Sequence, residues 1–336
     1  MHLLQIIDSL AWGGAQKLLV TFAEALEGSG DQLTIANLFH KETDAPYEKD
    51  LKALGVEVKT FSAPNLFNMK RINELVRFIR QGKFDLIHSH LSYANILGTL
   101  AGRMTNTPVV ASLHNIKRDK QSATVQRIED FFLNQWAKRI IAVGHIVADV
   151  NQPHYKVPLD IIPNAVPLLP SLPDEEIAAI RTELIGDPTR PVIISVGRMA
   201  VQKAYHDLID AYAKVHQQHP QPALLLVGGG GQREKLEEQV ARLNLQDHVF
   251  MPGRRSDVPQ LLAASDLYVS SSHWEGLPVA VLEAMSAALP IVATDAGDIP
   301  HVVTNGTGRV VPIKNVDMLA EAMIEFITDP AKMKTA

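Results

Sequence analysis

The sequence predicts an α/β protein with two Rossmann-like domains, each a doubly wound parallel sheet. Three observations predict this fold class: the length of 336 residues, the alternation of short apolar runs with helix-length segments, and a proline-rich stretch after which the alternation restarts. One ordinary core does not cover a chain of this length, so two domains of roughly 150 to 170 residues are expected. Buried strands separated by helix-length segments are typical of parallel sheets covered on both faces.

The first half alternates strands and helices. A Gly13-Gly14 turn separates the first strand from the first helix. The predicted strands are Leu3–Ile7, Leu33–Leu38, Val56–Phe61, Phe84–His88, Val109–Leu113 and Ile140–Val143. The predicted helices are Gln16–Leu26, Ile72–Arg80, Leu97–Met104 and Val125–Ala137.

The segment VPLLPSLPDEE (166–176) is interpreted as a linker, because proline cannot donate to a strand ladder. It predicts domains 1–167 and 168–336. The second contains a helix at Tyr205–His216 and strands at Val192–Val196, Ala223–Val227, Val249–Met251, Leu267–Ser270 and Ile291–Ala293. Two facing domains of this kind would form a cleft at the carboxyl ends of both sheets, where such folds bind ligands.

Composition excludes several classes of function. The chain has no cysteine, which excludes disulfides, thiolate catalysis and cysteine-based zinc sites, and is compatible with a reducing, cytoplasmic compartment. The net charge of −5 gives no global reason to expect a nucleic-acid partner. Met1–Ile7 is interpreted as a strand and not as a signal peptide, because Asp8 interrupts the apolar run. No apolar run approaches the ~20 residues of a membrane span, so we expect a soluble or at most peripheral protein.

The segment HWEGLPVAVLEAM (273–285) carries the strongest chemical signal. Gly276, Leu277 and Pro278 are predicted to open a helix, whose unpaired N–H groups and dipole attract phosphate. Glu275 precedes this helix and Glu283 lies about two turns along it, so both carboxylates can accept hydrogen bonds from the hydroxyls of one elongated ligand. The alternative is a surface helix with two solvated acids, and the spacing alone does not decide between them.

Two further segments follow predicted strands. VGRMAVQK (196–203) places Arg198 and Lys203 at the carboxyl end of a sheet, where two cations can neutralise a diphosphate. The alternative is a pair of solvated surface charges. LLLVGGGG (224–231) fits neither the dinucleotide fingerprint nor a Walker A motif, and is interpreted as a tight turn.

In the first half, glycine at positions 13 and 14 permits a positive φ and close approach to a ligand, although a plain turn is an equal alternative. His88, His90 and His114 follow two strands. Neither their spacing nor an acidic ligand set favours a metal site, so we expect structural hydrogen bonding.

In this order, the segments GGAQ, FDLIHSH, IIPNAV, VGRMAVQK, LLLVGGGG, FMPGRRSDVPQLLAASDLYVSSSHWEGLPVAVLEAM and LPIVATDAGDIPHVV resemble glycosyltransferase family 4, whose members are retaining enzymes with the GT-B fold. The resemblance covers nearly the whole chain. It implies that Glu283 binds the ribose of the donor nucleotide and that Glu275 lies near the donor sugar. It also implies that Arg198 and Lys203 bind the diphosphate.

The resemblance also implies that backbone amides at Gly13-Gly14 and at Gly276, Leu277, Pro278 and Val279 complete the phosphate site. Arg254 or Arg255, with Arg255 preferred, would lie beside the base, and His90 would line the sugar end. Domain 1–167 would be the acceptor side and domain 168–336 the donor side. The implied reaction moves a hexosyl group from a UDP- or GDP-sugar to a saccharide or lipid-linked acceptor in cell-surface polysaccharide, lipopolysaccharide or glycolipid synthesis, without cofactor or metal.

Several residues of this chain differ from those that are common at the matching positions of the family. Ala204, Ala288 and Ala165 replace common glycines, and alanine is costly only where φ is positive. Asp298 and His301 stand where the family often has glycine and glutamate. The family's closing helix is expected to be incomplete at Thr335-Ala336. A sugar-nucleotide epimerase and a non-catalytic binding protein are the alternatives, and EGLPVAVLEAM together with VGRMAVQK favours a transferase.

A basic and aromatic stretch spans residues 116–139. Such a segment can dock on anionic lipid at the inner face of the cell membrane. The alternative, a core-facing aromatic stripe with solvated charges, is favoured by the helical spacing. The residues concerned are Lys117, Arg118, Lys120, Arg127, Phe131, Phe132, Trp136, Lys138 and Arg139.

Overall fold

The computed structural model describes residues 1–39, 45–114, 116, 123–304 and 306–329. Contacts divide the chain into two compact units, Met1–Asn164 and Ala165–Ala336. The hydroxyl of Ser286 donates to the Pro167 carbonyl and accepts from the Leu169 N–H. The proline-rich segment is therefore attached to the second unit, which explains why this division falls slightly before residue 167.

The first unit contains one parallel sheet with the strand order β3-β2-β1-β4-β5-β6-β7. The order reverses between β1 and β4, which are paired in parallel. In doubly wound sheets the carboxyl ends at such a reversal form a ligand-binding crevice. The strands are β1 His2–Ile7, β2 Gln32–Asn37, β3 Glu57–Thr60, β4 Leu86–His90, β5 Val109–Leu113, β6 Arg139–Ala142 and β7 Asp160–Ile161.

Helices of the first unit cover this sheet. The apolar stripe of the third helix, with Ile72, Leu75 and Ile79, packs in one cluster with Leu4 and Ile6 of β1. The helices are α1 Gly14–Ala25, α2 Pro46–Ala53, α3 Met69–Gly82, α4 Ser92–Thr105, α5 Ala123–Trp136 and α6 His145–Asn151. The sequence analysis missed α2, α6 and β7. Among them, β7 has two residues and α2 buries only Leu51, so neither carries a clear periodic pattern.

The second unit contains a parallel sheet with the order β10-β9-β8-β11-β12-β13. Here the order reverses between β8 and β11, and Leu267 lies opposite Ile193 across that pair. The segments that leave β8 and β11 therefore emerge side by side. The strands are β8 Val192–Val196, β9 Ala223–Val227, β10 Val249–Gly253, β11 Leu267–Ser270, β12 Ile291–Thr294 and β13 Gly308–Val311.

Both faces of the second sheet are buried. Ile193 and Ile194 are successive residues of β8, yet they belong to different apolar clusters because alternate side chains point to opposite faces. The helices are α7 Asp174–Ile185, α8 Tyr205–Gln218, α9 Arg233–Arg242, α10 Val258–Ala263, α11 Val279–Ser286, α12 Ile299–Val302 and α13 Val316–Thr328. The predicted pair of doubly wound parallel sheets is confirmed. Across the described ranges, no helix has both the length and the apolarity needed to cross a bilayer.

Candidate functional site

An ion pair joins the two segments that leave β8 and β11. Nζ of Lys203 lies 2.8 Å from Oε1 of Glu275, and the two side chains are only 18% and 8% exposed. The sequence analysis predicted both residues for one site but not their direct contact. Because β8 and β11 are neighbours at the reversal of strand order, the pair lies where doubly wound sheets bind ligands.

The Glu275 carboxylate receives two further hydrogen bonds. The hydroxyl of Ser272 donates to Oε1 at 2.7 Å, and the side-chain amide of Gln202 donates to Oε2 at 3.1 Å. The same amide donates to the carbonyl of Trp274 at 2.9 Å. Each oxygen of this buried acid therefore has a donor, which is what a buried charge requires. Sequence analysis missed Gln202 and Ser272, because a polar residue inside a loop motif carries no local sign of its partner.

Backbone contacts hold the two segments together. The His273 N–H donates to the Gln202 carbonyl at 2.9 Å, and the Ser271 hydroxyl donates to the Lys203 carbonyl at 2.8 Å. The hydroxyl of Thr294, at the end of β12, donates to the Ser272 carbonyl at 2.6 Å. Three neighbouring connections are thus fixed relative to one another, and the site is held in a preorganised form.

The turn at residues 276–278 precedes α11, with Pro278 in the N-cap position and Val279 as the first helical residue. The predicted start of the helix at Gly276 is therefore early, because Pro278 has extended dihedrals (φ −72°, ψ 121°). The N–H groups of the first helical turn have no acceptor within the helix, so the predicted anion-binding geometry remains available.

Gly297 lies directly against the Glu275 segment. Its φ is 60°, and an added Cβ would lie 2.2 Å from the Glu275 carbonyl oxygen. The next N–H, that of Asp298, donates to the Gly276 carbonyl at 2.9 Å. Glycine at 297 is therefore required both by the left-handed backbone and by the close approach. Asp298, one of the family departures, is buried and contributes a backbone contact that any residue except proline can make.

Glu275 and Glu283 lie near the same buried tyrosine. Burial raises the pKa of Tyr268 well above its usual value, and the negative charges of Glu275 and Glu283 raise it further. The Tyr268 side chain is 1% exposed. The two acids predicted to hold one ligand therefore both lie near enough to Tyr268 for their charges to act on it.

The loop that carries Arg198 is supported by the glycine turn after β9. Arg198 is exposed, whereas Met199 is fully buried and its N–H donates to the Gly229 carbonyl at 2.9 Å. Gly228 has a φ of 138°, and a Cβ there would lie 1.9 Å from the Gly197 carbonyl oxygen. The sequence analysis predicted this turn only as a tight connection. Its contacts with Gly197 and Met199 also fix the position of the backbone on either side of Arg198.

Arg254 and Arg255 have different surroundings. Arg255 donates through Nε and Nη2 to both oxygens of Asp257, at 2.8 and 2.7 Å, and its Nη1 donates to Glu183 at 2.8 Å. These hydrogen bonds raise the pKa of Arg255 above its usual value. Cγ of the Arg254 side chain lies 3.4 Å from the position of a Cβ on Gly229. Arg254, the second choice of the sequence analysis, is the arginine beside the glycine turn, and a contact with a base stays a prediction for either.

Gly13 and Gly14 do not adopt the left-handed backbone that glycine permits. Gly13 has a φ of 174°, an extended value open to any residue, and Gly14 is the first residue of α1. Neither has a φ in the left-handed region, so of the two alternatives the plain turn describes their backbone. Their predicted phosphate contact now depends only on the N–H groups at the start of α1.

His90 belongs to a histidine cluster at the carboxyl end of β4. Its Nδ1 lies 3.2 Å from Nε2 of His114, and Nε2 of His88 lies 2.8 Å from the Ser112 hydroxyl. Burial lowers the pKa of His88 and His114 to about 4 and that of His90 well below its usual value. These rings are therefore neutral at pH 7. Within the described part of the chain, Nε2 of His90 is buried and has no hydrogen-bond partner.

The three alanines that replace common glycines differ in conformation. Ala204, directly after Lys203, has a φ of 47°, and Ala288, after the last turn of α11, has a φ of 55°. Ala165 is not among the residues with a positive φ. Two of the three substitutions therefore leave an L-residue in the left-handed region that glycine occupies at lower cost.

Comparison with known proteins finds glycosyltransferase family matches for both halves of the chain. Residues 12–168 match the family model described as Glycosyltransferase Family 4, and residues 176–336 match that described as Glycosyl transferases group 1. The UDP-Gal:alpha-D-GlcNAc-diphosphoundecaprenol alpha-1,3-galactosyltransferase of Escherichia coli is 26% identical over 292 residues, which cover 81% of this chain and 76% of that enzyme. A GDP-mannose-dependent monoacylated alpha-(1-6)-phosphatidylinositol monomannoside mannosyltransferase of Corynebacterium glutamicum is 32% identical over 174 residues, 48% of this chain and 44% of that one.

Solved structures agree with these family matches. The crystal structure of Anabaena Alr3699/HepE in complex with UDP-glucose matches with a TM-score of 0.88 and 26% identity, over 100% of this chain and 92% of that chain. The same protein in complex with UDP matches with a TM-score of 0.84 and the same identity and coverage.

Proposed function

Since this chain belongs to the family 4 type of nucleotide-sugar glycosyltransferases with the GT-B fold, we propose that it is a retaining hexosyltransferase that uses a UDP-sugar. The acceptor is a hydroxyl of a saccharide or of a lipid-linked saccharide in cell-surface glycan synthesis. UDP is preferred to GDP because Anabaena HepE binds UDP-glucose and the E. coli relative is named for UDP-Gal. The lipid-linked acceptor follows the diphosphoundecaprenol in the name of that relative.

The buried pair of Lys203 and Glu275 is the observation that carries this proposal. Without donor, the Lys203 ammonium is neutralised by Glu275, as the 2.8 Å contact indicates. A diphosphate beside it would give the ammonium a second anionic partner, while Ser272 and Gln202 keep the carboxylate hydrogen-bonded. The other side of the Glu275 carboxylate would then accept hydroxyls of the donor sugar.

We further propose that no metal assists at the diphosphate. Lys203 and Arg198 together supply two positive charges on the β8 connection, and the N–H groups at the start of α11 add partial positive charge. The charge that develops on the leaving UDP would be stabilised by these groups. Glu283, in the second turn of α11, is assigned to the ribose hydroxyls.

Retention would follow from attack on the face from which UDP leaves. The acceptor oxygen bonds to the anomeric carbon while the bond from that carbon to the phosphate oxygen breaks. The bonding electrons pass to the β-phosphate, whose oxygen takes the proton of the acceptor hydroxyl. We assign no protein nucleophile, and we assign His90 a neutral, hydrogen-bonding role at the sugar end because burial holds its pKa well below its usual value.

Peripheral membrane contact is proposed for the face of α5. Phe131 is 57% exposed and contacts Trp136 edge-on, and Phe67 is 44% exposed beside Phe132. Arg127, Lys138 and Arg139 are exposed on and after the same helix. Exposed aromatic residues beside basic ones suit anionic lipid at the cytoplasmic leaflet. Lys117, Arg118 and Lys120, which the sequence analysis added to this surface, lie outside the described residues.

The deciding experiment is a thermal-shift screen with UDP, GDP and ADP, followed by product analysis with the preferred donor. We expect UDP to raise Tm by mass action and EDTA to leave both binding and transfer unchanged. NMR of the product should give the anomeric configuration of the donor. A product with the opposite configuration would refute retention, and a Tm that responds only to GDP would refute the choice of UDP. Absence of salt-sensitive co-sedimentation with anionic vesicles would contradict the membrane contact.

A further inference from the structure

Three side chains of types that can bind a metal ion lie close together near the β8 and β11 connections. His206 and Asp207 lie in the first turn of α8, and His273 lies in the connection after β11. One ligand atom from each residue can be chosen so that all three lie within 4.8 Å of one another. In the parts of the chain that the structure describes, this is the only group of three such residues. The sequence analysis did not identify it, because His273 is distant in sequence from the other two.

The rings approach opposite oxygens of one carboxylate. Nε2 of His273 lies 2.7 Å from Oδ2 of Asp207, and Nε2 of His206 lies 3.1 Å from Oδ1. The two ring centroids are 5.8 Å apart, with the ring planes nearly perpendicular at 84°. Ligand atoms at the corners of a tetrahedral zinc site, with bonds near 2.0 Å, are separated by about 3.3 Å. Since the three ligand atoms lie within 4.8 Å of one another, binding of a cation would need the side chains to move inward by up to about 1.5 Å.

We propose that His206, Asp207 and His273 form a binding site for a divalent transition-metal ion of the Zn²⁺ type. Two imidazoles and one carboxylate are ligands that Zn²⁺ accepts readily, whereas Mg²⁺ and Ca²⁺ prefer sites made of oxygen alone. Three protein ligands leave a fourth position for water. His206 is the exposed member, so the ion and its water remain accessible from solvent.

The ion would link the segment after β8, which leads into α8, to the segment after β11. His273 is two residues before Glu275, and its backbone N–H already donates to Gln202, one residue before Lys203. A metal that joins His273 to the first turn of α8 would add a further attachment between the same two segments. The site is distinct from the diphosphate contacts proposed above, so metal-free chemistry and a bound metal are compatible.

The test uses purified full-length chain, stripped with chelator and dialysed, and Zn²⁺ or Co²⁺ alone as probe. We expect one Zn²⁺ per chain by elemental analysis after gel filtration, visible absorption bands on Co²⁺ loading, and no competition by Mg²⁺. At a hundredfold excess of Zn²⁺ over its Kd, Tm should rise by about 5 °C. None of these measurements requires nucleotide or transfer activity. They therefore test the metal site independently of the proposed reaction.

Two variants and one control complete the test. Asp207→Asn keeps the size and hydrogen-bonding ability of the side chain but removes the anionic ligand, and His273→Ala removes one imidazole. In both variants the Kd for Zn²⁺ should rise at least tenfold, and the visible absorption bands of bound Co²⁺ should disappear. His219→Ala, which removes an imidazole after the other end of α8, should bind like the unmodified chain. Equal binding by Asp207→Asn and the unmodified chain, or no binding by the latter at 100 μM Zn²⁺, would overturn the proposal.

Discussion

Lys203 and Glu275 form a direct, largely buried ion pair, with Nζ and Oε1 2.8 Å apart. Lys203 follows β8 and Glu275 follows β11, and these strands are adjacent only because the strand order reverses there. The pair is thus both the electrostatic centre of the predicted donor site and a tertiary link between two connections. Loss of either partner should affect stability and activity together.

Lys203→Met should lower the free energy of unfolding by about 3 kcal/mol, because it leaves the Glu275 carboxylate buried without its cation. The value of kcat/KM should fall at least ~100-fold, as for removal of a preorganised charge at a leaving group. Glu275→Gln keeps the hydrogen-bonding shape and should cost less stability. The free energies are measured by denaturant titration and kcat/KM by UDP release.

The control is Lys235→Met, at an exposed lysine on α9. It should change stability by no more than about 0.5 kcal/mol and leave kcat/KM unchanged. If Lys203→Met changes the free energy of unfolding by no more than about 0.5 kcal/mol and leaves kcat/KM within about threefold of the unmodified chain, the ion pair has no role in stability or in activity.

Gly297→Ala should displace the Glu275 segment. The new Cβ would lie 2.2 Å from the Glu275 carbonyl oxygen, and φ at this position is 60°. A loss of about 2 to 4 kcal/mol in unfolding free energy is expected, from the left-handed backbone and the steric overlap together. The affinity for UDP should fall as well, measured by calorimetry on the folded fraction. Gly231→Ala is the matched control, since its added Cβ has no atom within 4 Å; an equal loss in both variants would contradict the steric argument.

Ala288→Gly should stabilise the chain, although most replacements of alanine by glycine destabilise. Ala288 has a φ of 55° and is exposed, so glycine relieves strain without removing buried surface. The expected gain is about 0.5 to 1 kcal/mol by chemical denaturation. Ala165→Gly, at an exposed residue without a positive φ, should instead lose up to about 1 kcal/mol, because glycine only adds freedom to the unfolded chain. Changes of the same sign in both variants would rule out this explanation.

Acid should destabilise the first unit through its histidine cluster. His88 has a folded-state pKa of about 4, lowered by burial, and faces Ser112, His90 and His114. Between pH 6.5 and 4 the unfolded chain binds more protons than the folded chain, so stability is complete above pH 6.5 and falls as the pH drops. His88 alone should cost about 2 kcal/mol between pH 8 and pH 5.

Denaturant midpoints across this pH range test the effect. His88→Gln retains a hydrogen-bonding group but cannot titrate, so the stability of this variant should fall less steeply with acid than that of the unmodified chain. Identical slopes in the two proteins would show that His88 is not protonated on unfolding in this range.

Much of the fold was predictable because its signals are local. Several strands of the second sheet are mainly apolar, and the predicted Val192–Val196, Ala223–Val227 and Leu267–Ser270 agree with β8, β9 and β11 residue for residue. The sequence analysis did not predict helices α2 and α6, because both are short and bury few apolar side chains. The start of α11 was placed early because the glycine and proline before it resemble a helix opening, whereas Pro278 is extended.

The sequence by itself determined the fold class, the family resemblance and the residue types of the predicted donor site, since periodicity and motif order are read along the chain. Only the tertiary structure decided which of those residues meet. It paired Lys203 with Glu275, placed Arg254 and not Arg255 beside Gly229, and found that Gly13 has an extended backbone. It also brought His273 to Asp207. The physical reason is that these contacts depend on which strands are neighbours in the sheet and on φ at single residues, and neither leaves a local pattern in the sequence.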